Sequence, residues 1–172
     1  LSAILSDTVG LKSATTTNKD RQAAQELAKL ANIENLDSLT LEIFKAKSNL
    51  DSLDAISIVK NDYKVFDFAK RTFIGQIETV EQQELISKRL PELLAALKQV
   101  KQEQHVDLAF LAISDILNAN TKLLLASDEE NNVAQSAFSS SVDNNLIDIG
   151  PKLSRKKEIA PAIEKALDNT NK

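Results

Sequence analysis

The sequence predicts an α/β fold in which a mixed sheet of about five strands is flanked by helices. The clearest evidence is a pair of apolar runs, DLAFLAISDIL at 107–117 and TKLLLAS at 121–127, which have the length of strands. They are apolar enough to be covered on both faces of a sheet. Segments with the apolar spacing of helices lie before and after these runs, so we expect helices to form the covering layers.

The first part of the chain predicts two helices and a β-hairpin. Thr17 and Asp20 have the spacing of a capping box, and apolar residues fall on one face of the segment after them. A second helix is expected over 38–46. The segment 63–69 alternates between polar and apolar residues, and 71–80 follows it after a tight connection, so the two should pair as a hairpin.

The later elements are predicted from capping and strand signals. Thr79 and Gln82 have the spacing of another cap, and the helix after them should end or kink at Pro91 before helical sequence continues. A short helix is expected near 129–138, and a last strand near 145–150. This strand, the hairpin and the two apolar runs make up the predicted sheet.

Residue types that several familiar chemistries need are scarce. The chain has no cysteine, which excludes disulfides, thiolate metal sites and cysteine nucleophiles, and which fits a reducing cytoplasm. Its three glycines are isolated, so no glycine-rich phosphate loop is present. The one histidine, His105, is expected on the surface and not as a ligand or base. The chain has few aromatic residues on which bases could stack, so we do not expect a nucleic-acid partner. It has no apolar run of membrane-spanning length, so we do not expect a membrane partner.

Cations are concentrated near the end of the sequence. Residues 151–172 carry six lysines and arginines against three carboxylates, a charge of +3, which leaves −7 for the first 150 residues of a chain with net charge −4. Pro161 should start a helix, so we expect 154–160 to be a loop or extended chain leading into an electropositive helix N-terminus. Positively charged side chains beside an electropositive helix N-terminus are unfavourable unless an anion binds there, and a phosphate group would supply that negative charge. A solvated charged tail is the alternative.

Segments at both ends and in the middle of the chain carry a family resemblance. They resemble, in order and over essentially all 172 residues, the C-terminal half of the family II, manganese-dependent inorganic pyrophosphatases of the Asp-His-His superfamily. The Ser-Arg-Lys-Lys run before a proline-started helix is the most specific of them. The segments are LSAILSDTVGLKSATTT at 1–17, DYKVF at 62–66, GQIETV at 75–80 and SRKKEIAPAIEKAL at 154–167.

The resemblance implies roles for four residues. Asp7 matches the aspartate of the family's Ser-Asp-Thr motif, a metal ligand at the edge of the N-terminal domain. Lys64 matches the lysine of the Asp-x-Lys-x-Phe motif, which contacts a substrate phosphate. Arg155 and Lys156 match the two cations that bind pyrophosphate, and no contact is assigned to Lys157. Without the resemblance, Asp7 would be read as a helix-terminating aspartate.

The resemblance also implies that the chain is one part of a two-domain, cytoplasmic and homodimeric enzyme. Residues 1–10 would end the N-terminal metal-binding domain, 11–16 would be the interdomain linker, and 17–172 would form the substrate-binding domain. Residues 1 to about 10 should then pack poorly against the rest of this chain, because the partners of their apolar side chains would lie in the N-terminal domain. The cofactor would be Mn²⁺, with Mg²⁺ or Co²⁺ as alternatives, held mainly by the N-terminal domain. The fragment alone would be inactive.

Two departures from the family pattern lie within the expected linker or directly before it. The family usually carries bulky apolar residues and a proline where this chain has Val9, Gly10 and Ala14, so the connection would be looser. Three other functions stay open. They are an exopolyphosphatase of the same superfamily, a non-catalytic phosphate-binding module, and a phosphodiesterase on short RNA, which the poor aromatic supply disfavours.

Overall fold

A computed structural model describes residues 1–47, 50 and 52–170. None of the helices in these ranges is long and apolar enough to cross a membrane. The helices are α1 Ser2–Asp7, α2 Asn18–Leu30, α3 Leu36–Lys47, α4 Ala55–Val59, α5 Gln82–Glu103, α6 Asp128–Phe138 and α7 Ala160–Thr170, with a π-helical segment, here called the cationic turn, at Arg155–Ile159. The strands are β1 Tyr63–Asp67, β2 Arg71–Thr79, β3 Leu108–Asp115, β4 Asn120–Leu125, β5 Val142–Asp143 and β6 Leu146–Asp148.

The strands form one mixed sheet in the order β1-β2-β3-β4-β6-β5. β2 and β3 are parallel and are connected through α5, whereas the other neighbouring strands are antiparallel. The predicted mixed sheet and the predicted β1–β2 hairpin are therefore confirmed. The additional strand, β5, has only two residues, which is too short to show an alternating pattern in the sequence.

The two faces of the sheet bury separate clusters of apolar side chains. On one face, α4 and α5 cover a cluster that includes Phe73 and Ile77. On the other face, α6, α7 and the cationic turn cover a cluster that includes Ile74 and Phe110. Every residue of β3 is buried, which confirms the prediction that this strand is covered on both sides.

The cap of α2 also follows the prediction. The backbone N–H of Asp20 donates to Thr17 Oγ1 at 3.3 Å, and the backbone N–H of Thr17 donates to Asp20 Oδ2 at 2.7 Å. These reciprocal bonds satisfy two N–H groups that would otherwise lack partners at the helix start. His105 is exposed at the junction of α5 and β3, as expected.

The predicted cap of α5 is wrong. The helix has Glu81 as its N-cap, with no side-chain capping bond. Instead, Gln82 Nε2 donates to the carbonyl oxygens of Ile113 at 2.6 Å and Asn120 at 3.3 Å, so its amide joins the helix to β3 and β4. The Gln82 side chain is therefore directed towards carbonyl oxygens of β3 and β4, which need donors, and not back towards the start of the helix.

Pro91 does not end the helix. α5 runs through it from Gln82 to Glu103. Buried side chains lie on the core side both before Pro91, at Leu85, and after it, at Leu93 and Leu97. Packing on both sides of the proline holds one continuous helix despite the missing N–H donor.

The expectation that residues 1 to about 10 pack poorly is also wrong. Leu5 is 1% exposed and Val9 is 4% exposed, and α1 packs against α3. Val9 shares a small cluster with Phe44, Ile116 and Leu153. Leu5 and Val9 are thus buried within the described chain, which fixes α1 on the domain.

A left-handed turn follows α1. Val9, Gly10 and Leu11 have φ values of 51°, 62° and 64°. A Cβ atom on Gly10 would lie 2.6 Å from Thr40 Cγ2 in α3. Glycine at this position thus permits both the backbone conformation and the close approach of α3.

Candidate anion-binding site

The cationic turn is helical, so the prediction of loop or extended chain at 154–160 is wrong. Its start is closed by Ser154, whose Oγ accepts from the Lys157 N–H at 3.2 Å, while the Ser154 N–H donates to Glu158 Oε2 at 2.9 Å. This arrangement works like a capping box, but the acidic residue is four positions after the cap and not three. The turn continues directly into α7. Short π-helical segments of this kind occur frequently at functional sites.

The cationic turn presents donors at its start. Lys156 is exposed, and the side chain of Arg155 is 17% exposed. Within the described ranges, no group accepts a hydrogen bond from the backbone N–H of Arg155 or of Lys156. Positive side chains and unpartnered N–H groups at one helix start are suited to binding an anion.

The guanidinium group of Arg155 is anchored to the β-hairpin. Nη2 lies 2.7 Å from Asp62 Oδ1, and Nη1 donates to the carbonyl oxygen of Asp62 at 2.9 Å. Nη1 also reaches the carbonyl oxygen of Ile74 at 3.4 Å. These contacts join the cationic turn to residues about 90 positions earlier in the chain.

Lys64 lies beside this anchor. It follows Asp62 by two residues and pairs across the hairpin with Ile74, so both residues that hold Arg155 are its close neighbours. Its Nζ lies 5.2 Å from the centroid of the Phe66 ring, and Phe66 packs on the sheet face that the cationic turn covers. The fold therefore brings the strand of Lys64 next to Arg155.

Arg155 and Lys156 line a surface depression together with Asp7. α1 supplies the exposed carboxylate of Asp7, because the packing of Leu5 and Val9 holds the end of that helix against the domain. Lys64 is not among the lining residues. The lining comprises Asp7, Val9, Ser13, Thr15, Gln76, Glu78, Leu153, Ser154, Arg155 and Lys156.

Two residues that shape the site are absent from the sequence-based prediction. Gln76 is buried in β2, and its Nε2 donates to the carbonyl oxygen of Leu153 at 3.0 Å, which fixes the chain just before the cationic turn. Its signal in the sequence is a polar residue in the central, apolar part of the strand, between Ile74 and Ile77. Asp62 is the first residue of the DYKVF motif that contains Lys64, but nothing in the sequence indicates Arg155 as its partner.

The residues present do not make a manganese site by themselves. Asp7, Asp62 and Glu78 line a neighbouring depression. In the part of the chain that the structure describes, however, no three histidine, cysteine, aspartate or glutamate side chains are placed to hold a metal ion. A metal bound by Asp7 would need ligands from outside these ranges.

Comparison with known protein families decides where the chain belongs. The DHHA2 domain family matches residues 41–166, which include Lys64, Arg155 and Lys156. The chain belongs to the DHHA2 domain family. The matched range contains the whole sheet and the cationic turn, whereas Asp7 lies before it.

Relatives of this DHHA2 domain include longer proteins. The chain is 41% identical over 167 residues to a protein of Archaeoglobus fulgidus named a probable manganese-dependent inorganic pyrophosphatase, and the match covers 96% of this chain and 51% of the relative. A protein of Deinococcus radiodurans with the same name is 38% identical over 170 residues, with 96% and 54% covered. The chain thus spans about half the length of the curated relatives it matches.

A solved structure gives the same result for the fold. A crystal structure from Methanococcus jannaschii, assigned as a family II inorganic pyrophosphatase, matches with a TM-score of 0.83 and 34% identity. The match covers 96% of this chain and 53% of that chain. The resemblance drawn from the sequence, to the C-terminal part of family II pyrophosphatases, is confirmed.

Proposed function

We propose that this DHHA2 domain is the pyrophosphate-binding, C-terminal domain of a metal-dependent inorganic pyrophosphatase, which hydrolyses diphosphate to two phosphates. The observation that carries the proposal is the joint placement of Arg155 and Lys156 at one depression, with unpartnered backbone N–H groups beside them. The names of the relatives, inorganic pyrophosphatases in each case, support pyrophosphate as the anion.

Three cations would bind the substrate in this proposal. Arg155 would supply parallel N–H donors to one phosphate group, and Lys156 and Lys64 would supply point charges. Their common role is to offset the high negative charge of pyrophosphate and to fix its orientation for attack by water. Asp7, at the edge of the same depression, would be a metal ligand.

The proposal extends to the intact protein. Its N-terminal domain would include residues 1–10 and would supply the other metal ligands, 11–16 would be the linker, and 17–172 would bind the substrate. Because Leu5 and Val9 are buried on this domain, α1 would then be a fixed contact between the two domains. The relatives named manganese-dependent support Mn²⁺ as the cofactor. We also propose that the intact protein is cytoplasmic and forms a homodimer.

Pyrophosphate binding can be measured on the 172-residue chain itself. Imidodiphosphate, a non-hydrolysable analogue, is titrated into the ¹⁵N-labelled chain, and the Kd is obtained from NMR shifts for the unmodified chain and for Lys64→Ala, Arg155→Ala and Lys156→Ala. Lys157→Ala is the matched control, because Lys157 is an exposed cation next to Lys156 that does not line the depression.

Each of the three site variants should weaken binding by about tenfold to a hundredfold. A hydrogen bond to a charged group contributes about 1.5–3 kcal/mol, and about 1.4 kcal/mol corresponds to a factor of ten. Arg155→Lys should also weaken binding, because lysine keeps the positive charge but lacks the planar pair of N–H donors of the guanidinium group. Lys157→Ala should change the Kd by less than about threefold, as expected for a screened charge. Equal effects of Lys156→Ala and Lys157→Ala would contradict the proposal.

The alternatives give different results in the same titration. An exopolyphosphatase domain would bind tripolyphosphate much more tightly than imidodiphosphate, because its groove would hold further phosphate groups. A non-catalytic phosphate-binding module would bind the anion, but the intact protein would carry no Asp-His-His motif before Leu1. Preference for the two-phosphate ligand, together with that motif upstream, supports the pyrophosphatase.

A further inference from the structure

Arg155 contacts the hairpin through one end of its guanidinium group. The terminal nitrogens, Nη1 and Nη2, donate to the carbonyl oxygen and carboxylate of Asp62 at 2.9 and 2.7 Å, and Nη1 also reaches Ile74 O at 3.4 Å. A guanidinium has five N–H donors in a planar, rigid fork. These contacts use the two donors of Nη1 and one of Nη2. The side edge, formed by Nε–H and the second Nη2–H, is left over.

This side edge has no protein partner within the described ranges. No described group accepts a hydrogen bond from Nε. Arg155 lines the same depression as Lys156, and its side chain is still 17% exposed. Two parallel donors on one planar edge match two oxygens of a phosphate group.

Asp62 is a costly neighbour for an arginine that binds an anion. Its carboxylate offsets the charge of the guanidinium and would repel a bound pyrophosphate. The side chain of Asp62 is 58% exposed, so an ion pair there contributes little to the stability of the fold. The contact has another effect. A side chain that is already held in its binding geometry loses less conformational entropy when the ligand arrives.

We propose that Asp62 is a positioning residue, which holds Arg155 by the end of its guanidinium so that the side edge is preset to bind one phosphate group of pyrophosphate. This proposal rests on the proposed function, because it requires an anion at the depression. Asp62 itself does not touch the substrate. It acts through Arg155, and the carbonyl oxygen of Ile74 adds to the same anchor.

Charge and position predict opposite effects when Asp62 is replaced. If the carboxylate acted only through its charge, its removal would strengthen binding of the anion. If it positions Arg155, its removal weakens binding although a repulsive charge is lost. The sign of the change in Kd therefore separates the two roles.

The experiment is the imidodiphosphate titration of the 172-residue chain, applied to Asp62→Ala, Asp62→Asn and Asp67→Asn. Asp67 is the matched control, because it is the last residue of β1, the strand that Asp62 directly precedes, and its side chain is 91% exposed. Its ion pair is with Arg71, at 3.8 Å, and not with Arg155. The Nε–H resonance of Arg155 is followed in the same spectra without ligand. Asp62→Ala is also made in the Arg155→Ala background.

Positioning predicts that Asp62→Ala shifts the ligand-free Nε–H resonance and raises the Kd about fivefold to tenfold. Asp62→Asn, which keeps an acceptor oxygen, should have a smaller effect, and Asp67→Asn should change the Kd by less than about twofold. In the Arg155→Ala background, Asp62→Ala should no longer weaken binding. Unchanged or tighter binding by Asp62→Ala overturns the positioning role and leaves the proposed function standing. Absence of binding by the unmodified chain overturns the proposed function itself.

Discussion

At the scale of single residues, two glycines have similar backbone conformations and different surroundings. Gly10 and Gly150 have φ values of 62° and 68°. A Cβ atom on Gly10 would lie 2.6 Å from Thr40 Cγ2, whereas nothing lies within 4 Å of a Cβ atom on Gly150. The pair therefore separates the cost of a left-handed backbone from the cost of a steric clash.

Gly150→Ala should lower the free energy of unfolding by about 1–2 kcal/mol, the cost of a left-handed conformation for a residue with a Cβ atom. Gly10→Ala should lower it by about 2–4 kcal/mol, because the clash with α3 adds to that cost. Urea denaturation of both variants measures the two values.

A second substitution checks the cause. Thr40→Ser removes Cγ2, so Gly10→Ala combined with Thr40→Ser should recover the part of the loss that exceeds that of Gly150→Ala. If the combined variant is as unstable as the sum of its single changes, contact with Thr40 is not the reason.

The cap of α2 predicts a dependence on pH. The backbone N–H of Thr17, and then its hydroxyl, lower the pKa of Asp20 by hydrogen bonding to the ionised carboxylate. A lowered pKa in the folded state means that the charged carboxylate stabilises the fold above the pKa of the unfolded chain, about 3.9. That contribution is lost as the pH falls through the lower pKa of the folded state.

Thr17→Ala should move the pKa of Asp20 part of the way back towards its ordinary value, because the backbone bond remains when the hydroxyl is removed. A ¹³C NMR titration of the Asp20 carboxyl measures this. Thr16→Ala is the control, since Thr16 Oγ1 contacts Thr8 O and not Asp20. An equal shift in both variants would mean that the hydroxyl of Thr17 does not act through this hydrogen bond.

At the scale of elements, a buried carboxylate joins α6 to α5 and β3. Glu130 is 0% exposed, and its Oε1 lies 2.7 Å from Lys101 Nζ and 2.8 Å from the Ala109 N–H. Ser127, the N-cap residue of α6, donates its hydroxyl to the same carboxylate instead of capping the helix. All of these bonds depend on one side chain.

Glu130→Gln should lower the free energy of unfolding by about 2–4 kcal/mol, because it leaves the partly buried Lys101 without its counter-charge. Glu129→Gln, one residue earlier in α6, should cost less than about 1 kcal/mol, because Glu129 pairs with Lys70 where both side chains are 45% exposed. Denaturant unfolding of the two variants provides the comparison. Similar losses would show that burial of the ion pair has little importance here.

The elements that the sequence predicts well are those whose signal is local. β3 is a continuous apolar run, and the cap of α2 lies within four residues, so both follow from neighbouring positions. The hydrogen bonds of the Gln82 side chain depend on carbonyl oxygens of β3 and β4, which only the folded sheet brings close to the start of α5. The helical form of the cationic turn was missed because Glu158 is one residue beyond the usual capping-box position.

The same distinction applies to the candidate site. Arg155 and Lys156 are adjacent in the chain, so their shared charge is visible in the sequence. Asp62 and Gln76 reach the cationic turn across about 80 to 90 residues, and their partners depend on strand pairing and on the parallel arrangement of β2 and β3. The joint binding of pyrophosphate by these cations remains a prediction.

At the scale of the whole molecule, we expect the 172-residue chain to lack manganese-dependent pyrophosphatase activity. The described residues do not bring three metal-binding side chains together, and the relatives are about twice as long. Phosphate release from pyrophosphate with Mn²⁺ should therefore equal that of buffer and metal without protein. Turnover well above that control would show that the chain holds a complete metal site.

The sheet ends in two unlike edges. β5 has only two residues, so it offers little backbone to a second chain, whereas β1 has five residues and an open side. Open strands of this kind tend to pair between molecules, and a lysine within the strand opposes such pairing. Lys64 is exposed at the second position of β1, among Tyr63, Val65 and Phe66. We therefore expect the charge of Lys64 to oppose pairing of a second chain with this edge, independently of its proposed contact with pyrophosphate.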